Sequence, residues 1–274
     1  MVYDFEGEQA EAVPGPHRAL MFLELPRWSL EYGASRAVDL AHTLTQRITP
    51  GHAQLGQGRP VLVLPGFSAH DKMTRRLRTH LDQRGWHTHG WRLGANHGLT
   101  EAIVQGLPPR LTELADRYQQ PISVVGWSFG GVLARWLAQE YPDHVRQVVC
   151  LGSPWRAEAE KTRATAMFEK SRVKHGIVDN ARAIIDQARQ PLRVPVTAVW
   201  SKTDGIVSWR GCRVDVADQP PAENVEVPSS HIGMVANPLV LAVVADRLAQ
   251  DPAAWQPFTW QQLALRNLRP RAAS

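Results

Sequence analysis

Between Val61 and Val227 the chain repeats one pattern: a short apolar run, a turn carrying Gly or Pro, then a longer stretch of helical periodicity. The runs are Val61–Leu64, about Trp86–Leu93, Ile122–Val125, Val148–Leu151, Val196–Trp200 and Asn224–Val227. Most lack polar alternation, as strands buried on both faces do. Asp71–Leu81, Thr100–Tyr118 and Gly130–Glu140 read as helices between them, the last stopping before Tyr141-Pro142. Such alternation predicts an α/β fold, a mostly parallel sheet of about six strands flanked by helices with right-handed crossovers. A chain of 274 residues is long enough to bury a sizeable core in one such domain.

Two segments stand outside that rhythm. Residues 1–59 are expected to form a loose arm followed by a helical extension, with residues 60–274 forming the α/β domain. In the extension Leu30, Ala34, Ala37, Val38, Ala41, Leu44 and Ile48 recur at three- and four-residue steps, so this face is expected to pack on the core. Thr49-Pro50-Gly51 stops the helix. The stretch at about 155–194 is longer than a crossover needs and carries Met167, Phe168, Ile177, Val178, Ile184 and Ile185. It reads either as a helical cap over the carboxyl edge of the sheet, where open α/β sheets bind ligands, or as ordinary exterior helices. After the final strand, Asn237-Pro238 opens a last helix as N-cap and first helical residue.

Composition narrows the function classes. The 31 Lys and Arg against 26 Asp and Glu give a net charge of +5. The basic residues are scattered, their densest patch being Lys72, Arg75, Arg76 and Arg78 on one helix, so no nucleic-acid partner is expected. No apolar run approaches the length of a transmembrane helix, and the acidic N-terminal stretch lacks the basic start of a secretory signal; a cytoplasmic enzyme is the expectation. Cys150 and Cys212 are two buried or solitary thiols without metal-ligand spacing, no H-E-x-x-H occurs, and neither metal nor cofactor is expected.

The third apolar run ends in Gly126-Trp127-Ser128-Phe129-Gly130 and passes into a helix. A strand, a sharp Gly-flanked turn and a helix lift a Ser hydroxyl off the sheet and set it at the N–H end of that helix. A serine needs a base, and the base an orienting carboxylate. Asp204 and His231 both fall on loops after later strands, at the edge where Ser128 lies. His70 and His97 are rival bases on strand-end loops, and Asp179, Asp186 and Asp215 are rival acids.

Four landmarks, Leu64-Pro65-Gly66-Phe67, the G-W-S-F-G turn, Thr203-Asp204-Gly205-Ile206-Val207 and Ser229-Ser230-His231, resemble those of α/β-hydrolase-fold serine esterases and lipases over about Pro60 to Leu248. The resemblance implies Ser128 as nucleophile, His231 as general base, Asp204 as its orienting acid, and the backbone N–H groups of Phe67 and Phe129 as the oxyanion hole. Pro65 departs from the His that many members place before the Gly. The family's opening antiparallel hairpin is not visible. Trp127 and Met234 are expected substrate contacts, and the substrate a small ester with an apolar acyl group. Acyl transfer through the same residues, or non-catalytic binding of an apolar ligand, are the alternatives.

Overall fold

The computed structural model describes residues 15–48, 55–155, 170–217 and 221–263. Six strands form one parallel sheet: β1 Pro60–Leu64, β2 His87–Gly90, β3 Ile122–Trp127, β4 Val145–Leu151, β5 Val196–Trp200 and β6 Ala222–Glu226. Their spatial order is β2-β1-β3-β4-β5-β6, so β3, which leads into Ser128, lies inside the sheet. Every neighbouring pair is parallel.

The period-2 side-chain alternation of the strands divides the core in two. Leu62, Leu64, Val124, Val148, Cys150 and Ala198 face helices α3 (Glu101–Tyr118), α4 (Phe129–Glu140) and α5 (Ala181–Arg189). Val61, Val63, Val125, Val149, Leu151 and Val199 face α2 (Arg75–Asp82) and α6 (Pro238–Ala249). Apolar side chains on both faces are what the continuous hydrophobic runs require. The N-cap of α6 is Asn237, whose side chain accepts the N–H groups of Leu239 and Val240.

Several boundaries differ from the sequence reading. Of the run Trp86–Leu93 only His87–Gly90 is strand, because this is the sheet's edge and its sequence is His-Thr-His-Gly. Residues 71–74 are turn, so α2 begins at Arg75. Pro108 and Pro109 sit inside α3 without ending it.

The larger correction concerns the N-terminal helix, α1, which runs Arg18–Ile48 with Pro26 inside it. Its apolar stripe faces outward: Leu30 is 75% exposed, Leu44 48% and Val38 44%. Ala34, Ala37 and Ala41 are exposed as well. Among the described side chains of this helix the buried ones are Glu24, Ser35 and Asp39. The helix is turned this way because its carboxylates meet donors on the protein. Asp39 lies 2.5 Å from Arg76, 2.8 Å from His80 Nδ1 and 3.1 Å from Arg84, all on or just after α2. Anions with such partners hold an inward position that apolar side chains would otherwise take.

Within 155–194, α5 packs as an exterior helix, with Ile184, Ile185 and Ala188 in the core beside α4. A helical stretch at 170–175 rests on the loop after β2: Ser171 Oγ donates to the His97 carbonyl and His175 stacks on His97 at 3.8 Å. Met167 and Phe168 lie outside the described residues, as do residues 1–14 of the arm. Among the described residues no helix is long and apolar enough to cross a membrane.

Candidate active site

Ser128 occupies the single residue between β3 and α4, with φ +53° and ψ −126°, a region non-glycine residues seldom adopt. Three glycines make the turn possible. A Cβ on Gly126 would lie 2.4 Å from the Gly130 carbonyl oxygen, and one on Gly130 2.4 Å from the Leu64 carbonyl oxygen. One on Gly131 would meet Ser153 Oγ at 2.0 Å. Real side chains essentially never approach so closely, so β3, α4 and β1 pack this way only without them. The Ser128 N–H donates to the Leu151 carbonyl at 2.8 Å, tying the turn to the end of β4.

The turn after β1 reaches the same place. A Cβ on Gly66 would sit 3.0 Å from Ser128 Cβ, which puts the chain entering Phe67 beside the serine. Asn96 holds this turn: its amide donates to the Pro65 carbonyl at 2.7 Å, its carbonyl accepts the Ser68 N–H at 2.7 Å, and its N–H donates to Ala69. Phe67 is partly buried against the α3–α4 core, and Phe129 is the first residue of α4.

Asp204 follows β5 and His231 follows β6. His231 Nδ1 and Asp204 Oδ2 are 2.7 Å apart, and both side chains are buried. Asp204 Oδ1 accepts the N–H groups of Ile206 and Val207 at 2.8 and 2.7 Å, so the carboxylate is fixed in orientation and its second oxygen left for the imidazole. The two loops are joined by Ser201 Oγ, which accepts the N–H groups of Thr203 and Ser229, each at 3.1 Å. Burial opposes a charge on His231, but the Asp204 charge and hydrogen bond, with the charge of Glu24, outweigh it and raise its pKa above the ordinary histidine value.

Trp127 connects the pair to the serine turn. Its indole N–H donates to the His231 carbonyl at 3.0 Å and its ring lies 5.8 Å from the imidazole. Trp127 and Met234, expected as substrate contacts, are buried: Met234 has no exposed surface and packs against Gly152, which in turn borders Asp204. Trp127 thus lies against His231, and Met234 lies near Asp204 across Gly152. Several of the rivals have other partners. His70 Nδ1 accepts the Lys72 N–H, His97 stacks on His175, and Asp186 pairs with Arg182 and Arg189 on the exposed side of α5.

Three residues at the site went unread in the sequence: Asn96, Glu24 and Glu31. Glu24 and Glu31 reach the Asp204 and His231 loops from α1. Asn96 follows no motif, and both Glu residues lie about 180 or more positions away from the groups they bind. Among the described residues no group of three or more His, Cys, Asp or Glu could hold a metal ion.

A parallel sheet in this order, with a serine on the strand-to-helix turn of β3 and an Asp–His pair on the loops after β5 and β6, has the architecture of the α/β-hydrolase fold. The chain has that fold. A sequence profile described as the alpha/beta hydrolase fold matches residues 117–172. Over 109 residues the chain is 30% identical to the pimeloyl-[acyl-carrier protein] methyl ester esterase of Chromobacterium violaceum, a match covering 39% of this chain and 42% of that protein. The match thus spans less than half the length of that relative. Among solved structures, Aspergillus fumigatus lipase B aligns over 75% of this chain and 57% of its own, with a TM-score of 0.57 and 15% identity. A structure of the metagenome-derived lipolytic enzymes LipS and LipT aligns over 70% of this chain and 94% of its own, with a TM-score of 0.54 and 15% identity. The esterase EaEST of Exiguobacterium antarcticum aligns over 71% and 93%, with a TM-score of 0.53 and 14% identity. At these identities the likeness is one of fold.

Proposed function

We propose that the protein is a serine hydrolase that cleaves carboxylic esters through an acyl-enzyme on Ser128. The observation that carries this reading is the buried Asp204–His231 hydrogen bond of 2.7 Å, braced by Trp127, the residue next to the serine. With Nδ1 engaged by Asp204, the imidazole is held in the tautomer whose Nε2 has a free lone pair. Nε2 takes the Ser128 proton as Oγ attacks the ester carbonyl. The oxyanion is received by the backbone N–H groups of Phe67 and Phe129, at the Gly66 turn and the start of α4. The imidazolium then protonates the leaving alcohol, and water repeats the cycle to release the acid.

The buried Asp204 favours this direction of proton flow, because an imidazolium beside a carboxylate is stabilised as it forms. The 30% identity over 109 residues to a methyl ester esterase supports a substrate of the same kind. An apolar acyl group is proposed from the partly buried Phe67 beside Ser128. Hydrolysis of p-nitrophenyl esters of increasing chain length tests the proposal. The purified protein is expected to turn over at least one chain length, and Ser128→Ala to reduce that turnover by a factor on the order of a thousand or more. Parent-rate turnover by the Ala variant would refute the assignment.

A further inference from the structure

Helix α1 belongs to neither helical layer packed on the sheet, yet three of its side chains end on the loops that carry Asp204 and His231. Glu24 Oε1 accepts the N–H of Gly205 at 2.7 Å and that of His231 at 3.0 Å, while Oε2 accepts the N–H of Ile232 at 3.0 Å. Glu31 accepts the N–H and the hydroxyl of Ser230 at 2.8 and 2.7 Å. Arg27 donates to the carbonyl and hydroxyl oxygens of Thr203. Glu24 is 3% exposed, and a carboxylate so buried is tolerated only because donors replace its water.

The loops are shaped to receive the helix. A Cβ on Gly205, next to Asp204, would lie 2.5 Å from the backbone carbon of Leu20. A Cβ on Gly233, two residues past His231, would lie 1.3 Å from Glu31 Oε2. Glycine at 205, where the neighbour is helix backbone, is therefore a condition of α1 lying where it does, and glycine at 233 leaves room for the Glu31 carboxylate.

We propose that Glu24 is a positioning residue for the general base: by accepting the N–H groups of Gly205, His231 and Ile232 it locks the acid loop and the base loop together. On this view α1 is a clasp for the site rather than an appendage. The inference rests on reading Ser128, Asp204 and His231 as a hydrolytic triad. Holding a base to a fraction of an ångström matters because small misplacements cost large factors in rate.

Glu24 also acts through its charge. The charged groups set around His231 are Asp204 from the loop after β5 and Glu24 from α1, with Glu31 one residue removed at Ser230 and Arg27 between Glu31 and Thr203. Burial lowers the imidazole pKa, while Asp204 and then Glu24 raise it. Glu24→Gln removes the charge and turns an amide N–H toward a backbone N–H. Two effects are expected: kcat falls at least tenfold, and the His231 pKa falls, moving the acidic limb of kcat/KM to lower pH.

The test follows the His231 imidazole by NMR titration in the full-length protein, beside kcat and the pH profile of ester hydrolysis, in wild type, Glu24→Gln, Glu24→Asp and Asp39→Ala. Asp39 anchors the same helix about 22 Å further along, at 1.5 Å per residue, so its loss loosens α1 without touching the triad loops. The proposal expects a lowered imidazole pKa and lowered kcat in Glu24→Gln. In Glu24→Asp, which keeps the charge but is too short to span both loops, it expects lowered kcat with the pKa near wild type. Asp39→Ala leaves the imidazole pKa where it was. A Glu24→Gln imidazole that titrates as in wild type, or an Asp39→Ala imidazole shifted as much, overturns the proposal. Because the titration needs no turnover, an inert wild type with the expected imidazole shift counts against the triad while the clasp stands. An active wild type with an unmoved imidazole does the reverse. Should Glu24→Gln fail to fold, the Glu24→Asp variant decides, a shifted imidazole pKa or unchanged kcat there being the refuting result.

Discussion

Asp39→Ala is the perturbation that weighs α1 most directly as part of the folded structure. The carboxylate faces Arg76 at 2.5 Å, His80 at 2.8 Å and Arg84 at 3.1 Å, and all four side chains are at least mostly buried. Removing one partner of a buried ionic cluster costs about 3 to 5 kcal/mol, since the remaining charges lose their counter-ion while staying out of water. The lower end applies here. Arg76 keeps hydrogen bonds to Ser35 Oγ and the Ser35 carbonyl at 2.7 and 2.6 Å, and Arg84 keeps the His80 carbonyl at 3.0 Å. About 3 kcal/mol is a large part of the roughly 5 to 15 kcal/mol that holds a domain folded. Urea unfolding at pH 7 is the assay. The pH dependence supplies a second check. Burial, with the charges of Arg84 and Arg76, depresses the His80 pKa below its ordinary 6.5, and Asp39 opposes them. A histidine with a depressed folded pKa contributes stability that is complete above the unfolded value and is lost as pH falls toward the folded one. Without Asp39 the folded pKa drops further, so the gap between variant and wild type widens as pH falls from 6.5 toward about 4, above the range in which Asp39, its own pKa lowered from 3.8 in the fold, takes up a proton. A loss under about 1 kcal/mol at pH 7, or a gap that narrows between pH 6.5 and about 4, would refute the account of α1 as held by this cluster.

Gly130→Ala places a methyl group against the Leu64 and Pro65 carbonyl oxygens at 2.4 and 2.7 Å, both backbone, so β1, β3 and α4 must separate. We expect a loss of at least about 2 kcal/mol by urea unfolding, with ester turnover falling alongside it. The two thiols are buried, and burial pushes Cys150 up to about 12 and Cys212 well above its ordinary value. Neither is expected to react with a disulfide reagent at pH 8 until denaturant is added, at which point both should.

Much of this architecture could be read from the residues. Six runs became six parallel strands, and the inner four, β1, β3, β4 and β5, are nearly unbroken apolar runs because a strand buried on both faces has no use for polar alternation. The glycines around Ser128 announce a turn in which backbone approaches backbone, and the clashes at Gly126 and Gly130 give the reason. Asp204 and His231, chosen for following successive strands, are the pair that the sheet order brings into hydrogen-bond contact. What could not be read was the orientation of α1. Periodicity identifies a stripe without saying which way it points, and the rule that apolar stripes turn inward fails for Leu30, Val38 and Leu44. The inward side was decided by Arg76, His80 and Arg84 at one end and by the N–H groups of Gly205, His231 and Ile232 at the other. These partners are distant in sequence and, in the second case, belong to the backbone, which leaves no mark in residue type. Asn96 was missed for the same reason, its partners being main-chain groups of Pro65, Ser68 and Ala69.

The central claim is that Ser128 is a nucleophile activated by His231 and Asp204. A fluorophosphonate, which forms a covalent bond only with an activated hydroxyl, tests it without any assumption about the acyl group. Labelling of the full-length protein followed by peptide mass spectrometry should place one phosphonyl group per chain on the peptide containing Ser128, with none on Ser128→Ala and a greatly slowed reaction in His231→Ala. Absence of labelling in the folded wild type, or a label that persists at another serine when Ser128 is removed, would contradict it.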